Sequence, residues 1–431
     1  MWLIRARAEM APLDLIPGRG HDPTKRYDVT TPPPAHVSVI GAGLGGFRTV
    51  ESLRAAGYAG RITLIGAETH LPYDRPPLSK QFLAGSWDLE RICLAKQEAL
   101  DTLDVDLRLG VSATGVKTGE IHLSDGSVVT TDATVIATGV VARRLPGQPD
   151  HVHTLRTLDD ALRLKSELGS AASLLVVGAG FVGAEVASTA AAMGVSVTVI
   201  EAEAAPFVRV LGPDGARLCA RILRENDIDL RTGVSLSGFV DAHSGVKVEL
   251  SDGSTVTADV GLVGIGGTVQ LDWLGDLGLD VSRGVRCDRR GRVEGLEQVW
   301  AVGDVAAWFE SEVGDHLRHE HWNSAVDQAS IVATDIAGTG AGTIPVPYFW
   351  SDQFGLKIQV LGEPTKADTT IQLHGEGLDG GEVKGTVIGH LRGDRLIAVT
   401  GFGAARFVAR YRVPLGEGAN EQQTRELAAS L

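Results

Sequence analysis

His36-Val37-Ser38-Val39-Ile40-Gly41-Ala42-Gly43-Leu44-Gly45-Gly46 decides the fold of this 431-residue chain. A short β-branched run ends in a Gly-x-Gly-x-x-Gly, and a helical pattern from Phe47 to Ala56 follows. Strands this apolar are buried on both faces of a parallel sheet. With Arg61 to Ile65 as the return strand, the segment makes a βαβ unit of about thirty residues. Gly41 permits the tight turn, Gly43 lets a pyrophosphate approach the backbone, and Gly46 lets helix and strand pack closely. The helix N-terminus then offers free N–H groups and a positive dipole end to phosphates. A glycine turn alone is also compatible with a purely structural role. Its place between strand and helix points to a dinucleotide.

The unit recurs. Ser173 to Val177 is a second apolar run, Gly178-Ala179-Gly180-Phe181-Val182-Gly183 a second fingerprint, Ala184 to Met193 an Ala-rich helix and Val195 to Ile200 the return strand. That strand ends in Glu201, an acid placed to accept hydrogen bonds from an adenosine ribose 2′-hydroxyl. A 2′-phosphate near 4 Å would meet a repulsion of up to about 4 kcal/mol. No Arg directly follows the strand, so NADH is expected over NADPH. The other reading of Glu201 is an acid capping the next turn. Two dinucleotide sites with no substrate domain between them suggest a fixed flavin and a visiting nicotinamide. The fold class is therefore α/β, with two Rossmann-like dinucleotide-binding domains.

Outside these units, Ile121 to Val129 and Val246 to Val256 alternate around Asp-Gly turns at Asp125-Gly126 and Asp252-Gly253, one hairpin insertion per unit. After Gly338 come short strands at Lys357 to Leu361, Val383 to His390 and Leu396 to Thr400, then a helix at Ala404 to Tyr411. The expected division is a flexible N-terminal tail (1–34), a discontinuous FAD-binding domain (35–148 and 272–338), an NAD-binding domain (149–271) and a C-terminal α+β domain (339–431).

Composition narrows the function. Hydrophobic residues make up 43% and charged ones 22%, which argues against a disordered chain, a coiled coil or a transporter. The 54 glycines suit a fold with many tight turns. A net charge of −14 argues against a nucleic-acid partner, since neutralising phosphates needs clustered Lys and Arg. No apolar run approaches the roughly 18 residues that span a bilayer, so no membrane association is expected. Cys93, Cys219 and Cys287 are far apart and show no metal spacing, so no metal or Fe–S site is expected in the chain. They also offer no redox disulfide, and so sparse a set fits a reducing, cytoplasmic setting.

Two further segments support a flavin. Thr134-Val135-Ile136-Ala137-Thr138-Gly139 is a strand ending in a small-residue turn, and Val299-Trp300-Ala301-Val302-Gly303-Asp304 delivers an Asp suited to a ribityl hydroxyl. More specific are Leu71-Pro72-Tyr73-Asp74-Arg75-Pro76-Pro77-Leu78-Ser79-Lys80, His319-Glu320-His321-Trp322-Asn323 with Gln328, and Tyr348-Phe349-Trp350-Ser351-Asp352-Gln353. On these motifs the chain, from about Val37 to its end, resembles the two-dinucleotide flavoprotein reductases, and within them the putidaredoxin reductase type of oxygenase-coupled NADH:ferredoxin reductases.

The resemblance implies roles. Arg75 and Arg143 face the FAD pyrophosphate, and Thr138, Gly139, Gly303 and Asp304 line the flavin. Lys80 lies near flavin N5, paired with Glu185, a buried cation where negative charge builds. Trp322 stands beside the flavin ring, shielding it or serving its electron exit. The alternatives are a solvated charge for Lys80 and a core side chain for Trp322. Relatives carry a ribose-binding acid where Ala67 stands here, leaving Glu68 to reach the FAD ribose. The family's Gly-x-x-Pro-Asn reads Gly266-Gly267-Thr268-Val269-Gln270, which puts the domain crossover in question although Gly266 stays on the NAD side.

The implied activity is hydride transfer from NADH to FAD, then single-electron transfer to a [2Fe–2S] ferredoxin that feeds an oxygenase or cytochrome P450. An acidic ferredoxin needs a local basic face here, for which Arg318, Arg406, Arg410 and Arg412 are the candidates, against the reading that they are scattered solvated charges. The alternatives are a reductase of quinones and an NADH-sensing protein resembling apoptosis-inducing factor. The oligomeric state is open, a homodimer included.

Overall fold

The structure is a computed structural model that describes residues 32–117, 119–242, 244–275, 277–311, 313–340 and 345–431. Of the expected tail, 1–34, residues 1–31 lie outside the described residues.

His36–Ile40 is the middle strand of a five-stranded sheet ordered Val299–Ala301, Ala133–Ile136, His36–Ile40, Arg61–Gly66, Val105–Leu109, with every pairing parallel. Val37 and Val39 are fully buried, as an apolar strand covered on both faces must be. The edge strand Val299–Ala301 arrives from beyond the second unit, so this sheet is built from separated stretches of chain. Chain order reverses at the middle strand, and open parallel sheets form their ligand crevice at the carboxyl ends beside such a reversal. A second parallel sheet, ordered Asp229–Thr232, Ser196–Glu201, Ser173–Val177, Val260–Val263, repeats the arrangement around the second fingerprint.

Both fingerprint helices begin three residues earlier than periodicity indicates, at Leu44–Ala55 and Phe181–Ala192. The glycines that read as a turn are helical because packing requires it. A Cβ on Gly46 would lie 1.8 Å from the Gly41 carbonyl oxygen, and one on Gly183 would lie 2.0 Å from that of Gly178. Gly41 itself has φ +114°, which only glycine adopts readily.

The hairpins extend to three-stranded meanders, Ala113–Lys117 with Glu120–Leu123 and Val128–Thr130, and Leu236–Val240 with Val246–Leu250 and Thr255–Ala258. The crossover is intact without the proline turn. Val141–Ala142 pairs antiparallel with Gly267–Thr268, and the Arg143 N–H donates to the Gly266 carbonyl at 2.9 Å.

A third sheet is antiparallel, ordered Tyr348–Gln353, Leu356–Gly362, Arg395–Phe402, Val387–Arg392, Thr369–His374. The strand expected over Val383 to His390 runs instead over Val387–Arg392, because Gly385 takes φ +88° and Thr386 turns back onto the Val383 carbonyl. The single helix expected at Ala404 to Tyr411 is three short turns, Ala405–Val408, Ala409–Tyr411 and Arg412–Glu417, and a further helix, Glu421–Ser430, follows an Asn420/Gln423 capping box. Arg221 fastens this layer to the second unit, donating to the carbonyls of Gly377 at 3.0 Å and Gly381 at 2.9 Å.

Candidate active site

A cavity of about 530 Å³ opens at the carboxyl ends of the first sheet. Its walls include Gly41 and Gly43 of the fingerprint, Thr138 and Gly139 of the small-residue turn, and Gly303 and Asp304. The helix Leu44–Ala55 has no side-chain cap and no acid in its first turn, so its leading N–H groups stay available to an anion. An FAD-type dinucleotide fits this cradle. Beside Gly43 the Arg75 guanidinium would lie 3.8 Å from an added Cβ, close enough to meet the same phosphate.

The cations differ in part from expectation. Arg75 lines the cavity and donates to Glu68 at 2.7 Å, while Tyr73 gives its hydroxyl hydrogen to the other oxygen of Glu68. Glu68 thus reaches the cavity from its shifted position. Arg143 does not line it: that side chain is exposed and turns toward the Gly267 carbonyl at 3.5 Å, because its backbone is committed to the crossover. The second arginine in the wall is Arg156, which donates to Asp304 Oδ2 at 2.8 Å and to the Val140 carbonyl at 3.1 Å. Sequence reasoning missed it. The signal available was the Thr157/Asp160 capping box of the next helix, whose Asp160 also accepts from the Arg156 backbone N–H at 3.1 Å.

Lys80 and Glu185 meet in the cavity wall at 3.0 Å, their side chains 10% and 7% exposed. Glu185 also accepts from Ser351 Oγ at 2.7 Å, from the Asp352 N–H at 3.3 Å and from Ser79 Oγ at 2.6 Å. A buried carboxylate is tolerated only with such a set of donors. Lys80 lies 3.6 Å from Asp352 as well, and is therefore not a solvated charge.

Trp322 lines the cavity and donates from Nε1 to Asp74 Oδ1 at 2.7 Å, giving a role to a motif acid the sequence reading left unassigned. Burial pushes the Asp74 carboxyl up, opposed by this hydrogen bond. From Trp322 a line of aromatics runs outward. The Trp350 ring is 6.1 Å away, Tyr348 stacks 6.0 Å beyond it, and the Arg412 guanidinium lies 5.6 Å from Tyr348. The strand's period of two puts Tyr348 and Trp350 on its half-exposed face and Phe349 and Ser351 on its buried one. His321 stacks on Phe349 at 4.4 Å, and burial, then the charge of His319, pulls its pKa from 6.5 down to about 4.

Of the arginines considered for docking, Arg406, Arg410 and Arg412 are exposed. Arg318 is half-buried and engaged: it donates to the Asp304 carbonyl at 3.0 Å and pairs with Glu320 at 2.6 Å, buttressing the turn that carries Asp304. At the second fingerprint Gly178 has φ +101° and Gly180 starts a helix with neither side-chain cap nor first-turn acid, as at the first. Glu201 reaches that turn, accepting from the Ala179 N–H at 2.8 Å and the Glu203 N–H at 2.9 Å. Gly266 stands at the crossover. Cys93, Cys219 and Cys287 are all free thiols, the last two buried with their pKa values pushed up by desolvation. Glu310, His319 and Glu363 bring possible ligand atoms within 4.8 Å of one another, but Lys366 pairs with Glu363 at 2.5 Å and lies 3.9 Å from Glu310, so the cluster meets its own charge.

A cavity built on one glycine fingerprint and walled by a helix from a second defines an oxidoreductase that brings two dinucleotides together. Comparison with known proteins agrees. Residues 35–329 match the pyridine nucleotide-disulphide oxidoreductase family and residues 348–429 the reductase C-terminal family. The chain is 38% identical over 333 residues to the ferredoxin–NAD(+) reductase subunit of the benzene 1,2-dioxygenase system of Pseudomonas putida, covering 76% of this chain and 80% of that protein. It is 31% identical over 382 residues to putidaredoxin reductase of Pseudomonas putida, covering 84% and 87%. The structure of the covalent putidaredoxin reductase–putidaredoxin complex superposes with a TM-score of 0.85 at 28% identity, over 92% of this chain and 98% of that one. The chain belongs to the pyridine nucleotide-disulphide oxidoreductase family and carries the reductase C-terminal domain.

Removing Lys80 would strand a buried carboxylate. Lys80→Met is expected to cost about 3–5 kcal/mol in urea unfolding, with much of the loss recovered in Lys80→Met/Glu185→Gln. A cost under about 1 kcal/mol, typical of exposed pairs, would contradict the buried assignment. The pH dependence follows from His321 and from His390, which burial likewise holds at about 4. Between 6.5 and 4 the unfolded chain takes up protons that the folded one refuses, so stability present above 6.5 is lost as pH falls through this window. The His321→Asn/His390→Asn variant should show a shallower decline in unfolding free energy across that range, and an unchanged slope would refute it.

Proposed function

We propose that this enzyme is an FAD-dependent NADH:ferredoxin reductase whose acceptor is a [2Fe–2S] ferredoxin serving an oxygenase or cytochrome P450. The observation that carries the reading is the Lys80–Glu185 pair in the wall of a cavity between two dinucleotide fingerprints. Bound FAD supplies the exchange between a hydride donor and a one-electron acceptor. The protein's part is placement and electrostatics. Gly41, Gly43 and the uncapped helix receive the pyrophosphate, with Arg75 and Arg156 as cations. Asp304, Thr138 and Gly139 line the remainder, and Glu68 orients Arg75. Lys80 presents a fixed ammonium where reduction adds negative charge, and Glu185 positions it. Gly178, Gly180 and Gly183 receive NADH, with Glu201 at the ribose. We assign 35–148 with 272–338 to FAD, 149–271 to NADH and 339–431 to the C-terminal domain.

Trp322, Trp350 and Tyr348 give the electrons a short aromatic exit, and Arg406, Arg410 and Arg412 give an acidic ferredoxin a local positive face on a chain of net charge −14. The free cysteines support a reducing, cytoplasmic setting. Among the described residues no helix is long and apolar enough to cross a membrane.

The test is NADH-dependent cytochrome c reduction with purified enzyme. Turnover should need added [2Fe–2S] ferredoxin, and the Arg406→Glu/Arg410→Glu/Arg412→Glu variant should lose it while still reducing ferricyanide. Fast cytochrome c or quinone reduction without ferredoxin would reject the assignment.

A further inference from the structure

Ser351-Asp352-Gln353-Phe354-Gly355-Leu356-Lys357 folds back on itself through a two-residue turn, with Gln353 paired to Leu356. Phe354 and Gly355 both take positive φ, +48° and +73°, as the tight turns that match twisted strands require. A turn of that length fixes register, and register sets Asp352 directly opposite Lys357. The hairpin is anchored to the helix Phe181–Ala192. The Phe354 N–H donates to Ser188 Oγ at 2.7 Å and the Asp352 N–H to Glu185 Oε1 at 3.3 Å. The Asp352 carboxylate therefore stands between two ammonium groups. One oxygen lies 2.8 Å from Lys357 Nζ and the other 3.6 Å from Lys80 Nζ. The two lysines differ in setting: Lys80 is buried in the cavity wall, whereas the Lys357 side chain is 45% exposed. Lys357 also lies over the Trp350 ring, 5.5 Å from its centroid, and Arg412 lies against Tyr348 one ring further out. An exposed ion pair contributes little, so Lys357 can exchange its carboxylate for another at small cost. The buried ammonium of Lys80 cannot.

We propose that Lys357 is a docking contact for an acidic partner, and that Asp352 is the positioning residue through which its engagement reaches Lys80. This rests on the reading of Lys80 beside a bound flavin and deepens the ferredoxin assignment. While the partner is away, Asp352 is shared between both lysines, and the Lys80 ammonium directs more of its field into the cavity. A partner carboxylate that takes Lys357 leaves Asp352 to Lys80 alone. The cation in the wall is then more fully compensated, so negative charge gained on reduction is less stabilised there. Docking thus lowers the flavin midpoint potential and favours release of electrons to the protein that has docked. Because one carboxylate carries the effect, removing Asp352 must uncouple the two lysines, whereas a simple field of Lys357 would persist without it.

The experiment measures the flavin midpoint potential of the holoenzyme by dye equilibration in wild type, Lys357→Met, Asp352→Asn and Lys357→Met/Asp352→Asn. Lys357→Met should move the oxidised-to-reduced ratio about tenfold toward oxidised, the scale of one hydrogen bond to a charged group, or about 30 mV for a two-electron couple. Lys357→Arg should restore the wild-type value. In the Asp352→Asn background the Lys357→Met change should have little effect. An equal shift in both backgrounds, or none in either, would overturn the coupling. A [2Fe–2S] ferredoxin carrying gallium in place of iron docks without accepting electrons. It should lower the potential of wild type and leave that of Lys357→Met unchanged. Binding without that difference would overturn the docking role of Lys357. Absence of binding to wild type would instead overturn the ferredoxin reading, and the docking role with it, while the four variants alone decide the coupling.

Discussion

One carboxylate joins three separated stretches of this protein. Glu185, on the helix of the second fingerprint, receives Ser79 and Lys80 from the proline-rich motif of the first unit and Ser351 with the Asp352 N–H from the C-terminal sheet. Burying that charge without these partners would cost several kcal/mol, so each segment must be in place for the others to be stable. The same constraint puts the Lys80 ammonium in the cavity wall and holds the strand Tyr348–Gln353 beside Trp322. The electrostatics of the site and the alignment of its walls thus share one cause.

Around that tie the fold repeats one arrangement twice. Each parallel sheet reverses its strand order beside its fingerprint, and at each fingerprint an uncapped helix begins. The third sheet has a different task. Its first strand separates a buried face, carrying Phe349 and Ser351, from a half-exposed face carrying Tyr348 and Trp350, and so connects the cavity to the surface with one element.

Legibility followed range along the chain. Both strand–glycine–helix units could be read because their signals lie within a few residues: the boundaries His36–Ile40 and Ser173–Val177 emerge directly from the apolar runs. The helix starts were misplaced because glycine weakens a helical pattern, and only the contact of Gly46 with the Gly41 carbonyl explains why a residue without a side chain is helical there. In the sequence Arg143 and Arg318 stand as available cations. Pairing of the crossover strands turns the first away from the cavity, and the carbonyl of Asp304 occupies the second. Arg156 and Asp74 carried no motif role, and their functions arise from contacts 148 and 248 positions distant in sequence.

The amino-acid sequence by itself determined the class of fold, the two nucleotide turns and the pairing expected of Lys80 with Glu185, since local periodicity, glycine placement and motif resemblance carry that information. Which arginines line the cavity and how the aromatic line reaches the surface were decided by tertiary structure. Those outcomes depend on burial and on charges brought together from distant positions, and neither is a property of any short stretch of chain.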